Sequence, residues 1–235
     1  MELPDDLQVA IDGPAASGKT TVARSAAARL HALYLDTGAM YRALAYLALQ
    51  ARIDADNGAA LVRLMDVQPI DVVLDRSASP GFRIVAGGRE LGEAALQSNE
   101  VETIVSTVAA HAEVRTAMVR AQRRIAAASR VVMAGRDIGT VVLPNAQVKI
   151  FLTASVSARV ARRRAQLRAA GVDVDVHRLT QEIEERDRID RTRAVSPLAP
   201  APDAHVIDSS DISAERVVDE ICAVVAVTLA RSSPA

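Results

Sequence analysis

The chain is 235 residues long, half hydrophobic and 24% charged, with a formal net charge of −1. That length supports a sizeable buried core, while near-neutral charge, 2% aromatic residues and no tryptophan argue against a surface that stacks single-stranded nucleic acid. One cysteine, Cys222, excludes an internal disulfide framework; it reads as a buried structural thiol in a reducing compartment.

The first element is the apolar run LQVAIDG at 7–13, a strand ending in glycine. It leads into Gly13-x-x-x-x-Gly18-Lys19-Thr20, a complete P-loop pattern. TTVARSAAARLHA follows with helical spacing and good helix formers. A strand, a glycine-rich turn and a helix are the context this pattern needs, because backbone N–H groups and the helix N-terminus then face the phosphates. Lys19 is expected to reach the outer phosphates and the Thr20 hydroxyl to ligate Mg²⁺. Lys19 and Lys149 are the only lysines among 28 basic residues, so one of the two stands where a P-loop requires it.

Further strands are predicted at 33–36, 130–134, 148–152 and 205–208, separated by helical segments that include a long one from about 101 to 129. The last helix opens at Ser213, a good N-cap, with Glu215 in its first turn. Alternating strands and helices imply a parallel sheet covered on both faces, with ligands gathered at the strands' carboxyl ends. From about 68 to 92 the rhythm changes to short strands with Ser, Pro and Gly turns, a β-rich insertion into an α/β core. The acidic start MELPDD is unlike a secretory signal, and ICAVVAVTLA is too short to cross a bilayer. The expectation is a cytoplasmic protein with no membrane partner.

Arginines cluster twice. Arg159, Arg162 and Arg163 share a face of one predicted helix. Arg186, Asp190 and Arg193 fall at i, i+4 and i+7 of another, before Pro197 and Pro200 end it. Either cluster alone fits a solvated, salt-bridged helix. Beside a P-loop they also fit phosphoryl transfer between phosphates, which needs positioning, charge compensation and exclusion of water more than acid–base chemistry. DTGAMYRA places Arg42, and AGRDIGT places Arg136 and Asp137, just past strand ends where an open α/β sheet binds ligand.

Taken together, IDGPAASGKTT, DTGAMYRALA, GRDIGTVVLPNAQVKIFLTAS and ERDRIDRTRAVSPL, in that order, resemble the bacterial cytidylate kinases of the nucleoside monophosphate kinase group over nearly the whole chain. The resemblance implies an α/β fold: a P-loop core with a five-stranded parallel sheet at about 1–62, 101–154 and 186–235, a β-rich NMP-binding insertion at about 63–100 and an arginine-rich lid at about 155–185. It implies that Gly13, Pro14, Ala15, Ala16, Ser17, Gly18, Lys19, Thr20 and Thr21 hold Mg²⁺-ATP, with Arg159 and Arg163 closing from the lid. Arg42, Arg136 and Arg193 would take the CMP phosphate, and Arg186 and Asp190 the sugar hydroxyls. Ser106, Arg115 and Asp137 would read cytosine, whose amino group suits the Asp137 acceptor and whose acceptors suit the other two. Asp36 and Thr37 would also touch the nucleotide. Lys19, Arg163, Arg186 and Arg193 would carry catalysis by stabilising the transferring group.

Two positions depart from the family pattern. Ala134 stands where an acid usually precedes GRD, which puts magnesium positioning in question, with Asp36 or Asp137 as possible substitutes; Thr37 stands where serine is frequent. ATP and CMP or dCMP are the partners this reading implies, with no nucleic acid and a monomeric chain. The residues alone also leave open a P-loop kinase of another small acceptor, such as shikimate, a nucleotide-binding regulator with little turnover, and RNA binding through the arginine clusters.

Overall fold

The computed structural model describes residues 3–75, 81–169 and 171–232. The chain runs β1 (Gln8–Asp12), α1 (Lys19–Arg29), β2 (Leu33–Asp36), α2 (Thr37–Gln50), α3 (Gly58–Val67), then β3 (Ile70–Leu74), β4 (Phe82–Ala86) and β5 (Arg89–Leu91). It continues α4 (Glu93–Leu96), α5 (Asn99–Val108), α6 (Ala112–Ala126), β6 (Val131–Gly135), β7 (Val148–Thr153), α7 (Val156–Ala169), α8 (Val176–Thr192), β8 (His205–Asp208) and α9 (Ala214–Ser232).

Five strands form one parallel sheet in the order β2-β6-β1-β7-β8. Strand β6 is buried at every position and β1 at all but its first, as the near-continuous apolar runs of a doubly covered parallel sheet require. Helix α1 packs on α9 and on the sheet, and α2 packs on α5. Strands β3, β4 and β5 make a separate antiparallel sheet, the predicted insertion; the expected turn residues Ser77, Ser79 and Pro80 lie outside the described residues. Helices α7 and α8 hold a small apolar cluster of their own, Val160, Leu179 and Ile183.

Two local expectations are corrected. The helix predicted across about 101–129 is two helices, broken between Ala109 and His111. The break has a use: the Ala109 carbonyl, freed from helical bonding, accepts from Arg115 Nη1 at 3.0 Å, and the His111 ring meets the Ala55 carbonyl at 2.8 Å. Helix α8 ends at Thr192, so Arg193 is not on its face but is an extended C-cap residue (φ −60°, ψ 140°). The chain then folds back, with Leu198 N–H donating to the Asp190 carbonyl at 2.7 Å, before any proline is needed to stop the helix. Ser213 caps α9 as predicted, its hydroxyl accepting from Arg216 N–H at 3.2 Å, and Cys222 is a partly buried free thiol that burial pushes up in pKa.

Candidate active site

All five parallel strands end on one edge, and the residues between β1 and α1 form a tight loop there. Gly13 has φ +154°, and a Cβ on it would lie 2.0 Å from the Leu152 carbonyl oxygen, so the loop passes β7 at a distance open only to glycine. Gly18 enters α1 in the left-handed region (φ 93°) and no side chain caps the helix. Its first amide N–H groups therefore face the loop, an anion cradle by construction. Lys19 is buried, donating to the Pro14 carbonyl at 2.6 Å and to Ser17 Oγ at 3.3 Å. Thr20 and Thr21 are exposed in the first turn.

Arginines of α7 brace this loop. Arg159 is buried and donates to the carbonyls of Ala15 and Ala154, both at 3.2 Å, and pairs with Asp187 of α8 at 2.7 Å. Arg162 donates to the Ser17 carbonyl at 3.2 Å and to the hydroxyl of Ser209 at 3.0 Å, and also to the Ser209 carbonyl. Arg163 is half-buried on the side toward α5, close enough to Glu102 to lower the pKa of that carboxyl. Two of the three arginines thus hold the P-loop, and the third acts on Glu102.

The other half of the pocket is a chain of arginine–carboxylate pairs. Asp36 caps α2 by accepting from Gly38 N–H and holds Arg42, both at 2.9 Å. Asp190 accepts from Arg136 Nε at 2.7 Å and lies 3.5 Å from Arg193. Asp137 accepts from Arg115 at 2.5 Å and lies 4.0 Å from Arg193, while the Arg115 guanidinium also sits over the Tyr41 ring. Arg186 donates to Glu102 at 2.6 Å. Thr37 donates to the carbonyl of Ala134 at 2.9 Å, and Ser106 is half-buried one turn beyond Glu102 on α5.

The halves meet at Lys19. Burial pushes its ammonium well below the usual lysine range and the Arg136 guanidinium pushes the same way, while Asp36, Asp12 and Asp190 oppose them. Burial also raises the carboxyls of Asp36 and Asp190, but Arg42 for the first and Arg136 for the second outweigh it and hold both below the usual range. Arg193 is pushed down by burial and by the neighbouring Arg115; a guanidinium stays charged regardless.

The family pattern of cytidylate kinases matches residues 9–227. The chain belongs to the cytidylate kinase family. A cytidylate kinase of Geobacillus sp. (strain WCH70) is 48% identical over 221 residues, 94% of this chain and 97% of that protein. A cytidylate kinase of Pelotomaculum thermopropionicum is 48% identical over 92% of this chain and 94% of its own length. A bifunctional pantoate ligase/cytidylate kinase of Synechococcus sp. (strain JA-2-3B'a(2-13)) is 47% identical over 97% of this chain, which spans 42% of that longer protein.

Against the family pattern, the pocket contains residues that the sequence reading does not single out: Asp12, Glu102, Asp187 and Ser209, with Arg162 read only as one of a cluster. Asp12 is buried at the end of β1 and accepts from the N–H groups of Ile138 and Gly139 at 2.8 and 2.7 Å. It ties the P-loop strand to a π-helical turn, Ile138–Val142, that follows Arg136 and Asp137. Asp36 and Asp137 are paired with Arg42 and Arg115, and Asp36 and Asp12 both act on Lys19 of the P-loop.

Proposed function

We propose that the chain transfers the γ-phosphoryl group of Mg²⁺-ATP to CMP or dCMP, giving ADP and CDP or dCDP. The observation that carries this reading is the cytidylate kinase family pattern over residues 9–227, on a P-loop whose Lys19 is within electrostatic reach of Arg136, Asp36 and Asp190. ATP would lie along Gly13–Thr21, its phosphates on the loop amides and Lys19. Thr20, exposed at the helix start, offers a hard hydroxyl oxygen suited to Mg²⁺, a cation commonly held by few protein ligands together with substrate phosphates. When bound, that ion neutralises charge on the phosphates.

The chain's own residues do the rest. Arg42, Arg136 and Arg193 converge on the acceptor phosphate, and Arg186 with Asp190 holds the sugar. Ser106, Arg115 and Asp137 read the base, a set that penalises bases whose polar edges do not match. An acceptor phosphate is already ionised, so no general base is assigned. The insertion at about 63–100 and the lid at about 155–185 form the two walls that close over the substrates, shielding the transfer from water. The chain acts as a monomer in the cytoplasm.

Release of ADP with Mg²⁺-ATP against CMP, dCMP, UMP, AMP and no acceptor tests the reading. Turnover is expected on CMP or dCMP and is expected to fall by roughly 10²–10³ or more in Lys19→Ala, the loss typical of removing one preorganised transition-state donor. Faster phosphorylation of UMP or AMP sinks the substrate assignment. Binding of ATP without acceptor-dependent turnover replaces it with a nucleotide-binding regulator.

A further inference from the structure

Most carboxylates among the acceptor-side arginines have a second role. Asp36 caps a helix, and Asp137 and Asp190 each face two arginines and are assigned to the base and the sugar. Glu102 is different. Among the described residues the one hydrogen-bond partner of its carboxylate is Arg186 Nη1, at 2.6 Å. It projects from α5 to meet α8, one turn ahead of Ser106, so it stands between the base-reading helix and the helix that carries Arg186 and Asp190.

Arg186 bonds it, and Arg42 and Arg163 act on it electrostatically. Burial raises the Glu102 carboxyl, but Arg186, Arg42 and Arg163 together hold it below the usual glutamate range. Those arginines are not saturated by it: the Nε atoms of Arg186 and Arg42 are buried without a hydrogen-bond partner among the described residues. Positive charge and unspent donors therefore converge at Glu102, even with Asp36 paired to Arg42. A carboxylate in such a setting is the chemical counterpart of the phosphate oxygens that arginines recognise.

We propose that Glu102 is a positioning residue acting as a resident counter-anion: it holds Arg186 where α5 meets α8 and offsets one of three converging positive charges, setting how tightly the site holds phosphate-bearing nucleotides. This rests on the acceptor-site reading above. A nucleotide dianion enters against the Glu102 charge, and the product leaves more readily for the same reason. The residue thus gives up ground-state affinity in exchange for turnover.

Glu102→Gln keeps the shape and removes the charge. Titration calorimetry with CMP, and separately with inorganic sulfate, is expected to show binding tightened roughly five- to tenfold, the scale of one partly screened unit charge. The KM for CMP is expected to fall with kcat unchanged or lower. Glu102→Asp, which keeps the charge, is expected to bind as the wild type does. Glu102→Met, similar in length and uncharged, carries the same expectation as Glu102→Gln if the amide variant fails to fold. Unchanged or weaker binding in the uncharged variants overturns the proposal, as does weakening in Glu102→Gln and Glu102→Asp alike with a lower melting temperature, the mark of a mere strut. Sulfate binding reads the counter-anion without reference to CMP, whereas an error in the acceptor assignment shows as absent CMP turnover in the wild type.

Discussion

The two halves of the pocket hold their cations in different ways. On the donor side Lys19 and Arg162 are tethered by backbone carbonyls and hydroxyls, those of Pro14, Ser17 and Ser209, and only Arg159 has a carboxylate as well. On the acceptor side Arg42, Arg115, Arg136, Arg186 and Arg193 each face Asp or Glu. A carbonyl fixes a cation while leaving its full charge for a ligand; a carboxylate fixes it and cancels much of that charge. The first arrangement suits a polyphosphate, which brings several negative charges. The second suits a monophosphate joined to a base and a sugar, where shape and donor–acceptor matching must discriminate and surplus positive charge would only raise indiscriminate affinity.

The sharpest way to break the contrast is to remove a carboxylate from the acceptor side. Arg115 and Arg193 are 3% and 4% exposed at the side chain, and Asp137 lies against both. Asp137→Ala leaves buried Arg115 without its carboxylate and Arg193 with Asp190 alone, which costs about 3–5 kcal/mol. Chemical denaturation is expected to show that loss even without substrate. A change below about 1 kcal/mol would mean that the acceptor-side pairs do not hold shape.

On the donor side the weak point is the backbone. Gly13→Ala places a Cβ 2.0 Å from the Leu152 carbonyl oxygen at φ +154°. Strain plus overpacking puts the cost at about 2–4 kcal/mol, with ATP affinity falling because the loop must move off β7. Denaturation together with ATP titration checks both. A variant that binds ATP normally would show that the close approach to β7 is incidental to the cradle.

This contrast also explains what was legible in the sequence. The donor loop is contiguous, residues 13–21, and its chemistry follows from local spacing, so it reads at once. The five parallel strands read well for the same reason, each being a short apolar run. The acceptor side is assembled across the chain: Arg136 finds Asp190 54 positions away, Arg186 finds Glu102 84 away, and Arg115 finds Asp137 22 away. Its arginines could be placed from motif resemblance, but their counter-charges could not. Asp187 lies beside Arg186 in ERDRIDR yet serves Arg159 of the neighbouring helix. The break at 109–111 was hidden because no proline or glycine marks it; tertiary bonds from Arg115 and His111 pay its cost. The fold-back after Thr192 places Ser196 at φ 54°, with its carbonyl accepting from Arg193, a geometry that helical spacing cannot foresee.

The smallest expected effect is a slope in pH, and the two sides contribute to it with opposite sign. Burial raises the Asp12 carboxyl to about 6 from an ordinary 3.8, with Asp137 adding to the rise and the Ile138 and Gly139 amides and Lys19 opposing it. A raised acid favours the folded state fully below its unfolded value, and that contribution is lost as pH climbs through about 6. Asp36 and Asp190 are lowered by their arginines, so their contribution is complete above the ordinary carboxylate value and is lost as pH falls beneath it. Urea midpoints measured from about pH 3 to 8 are therefore expected to fall on both flanks. Asp12→Asn has no group to titrate and is expected to flatten the upper flank while keeping the acid one. An upper flank unchanged in Asp12→Asn would move its origin away from β1.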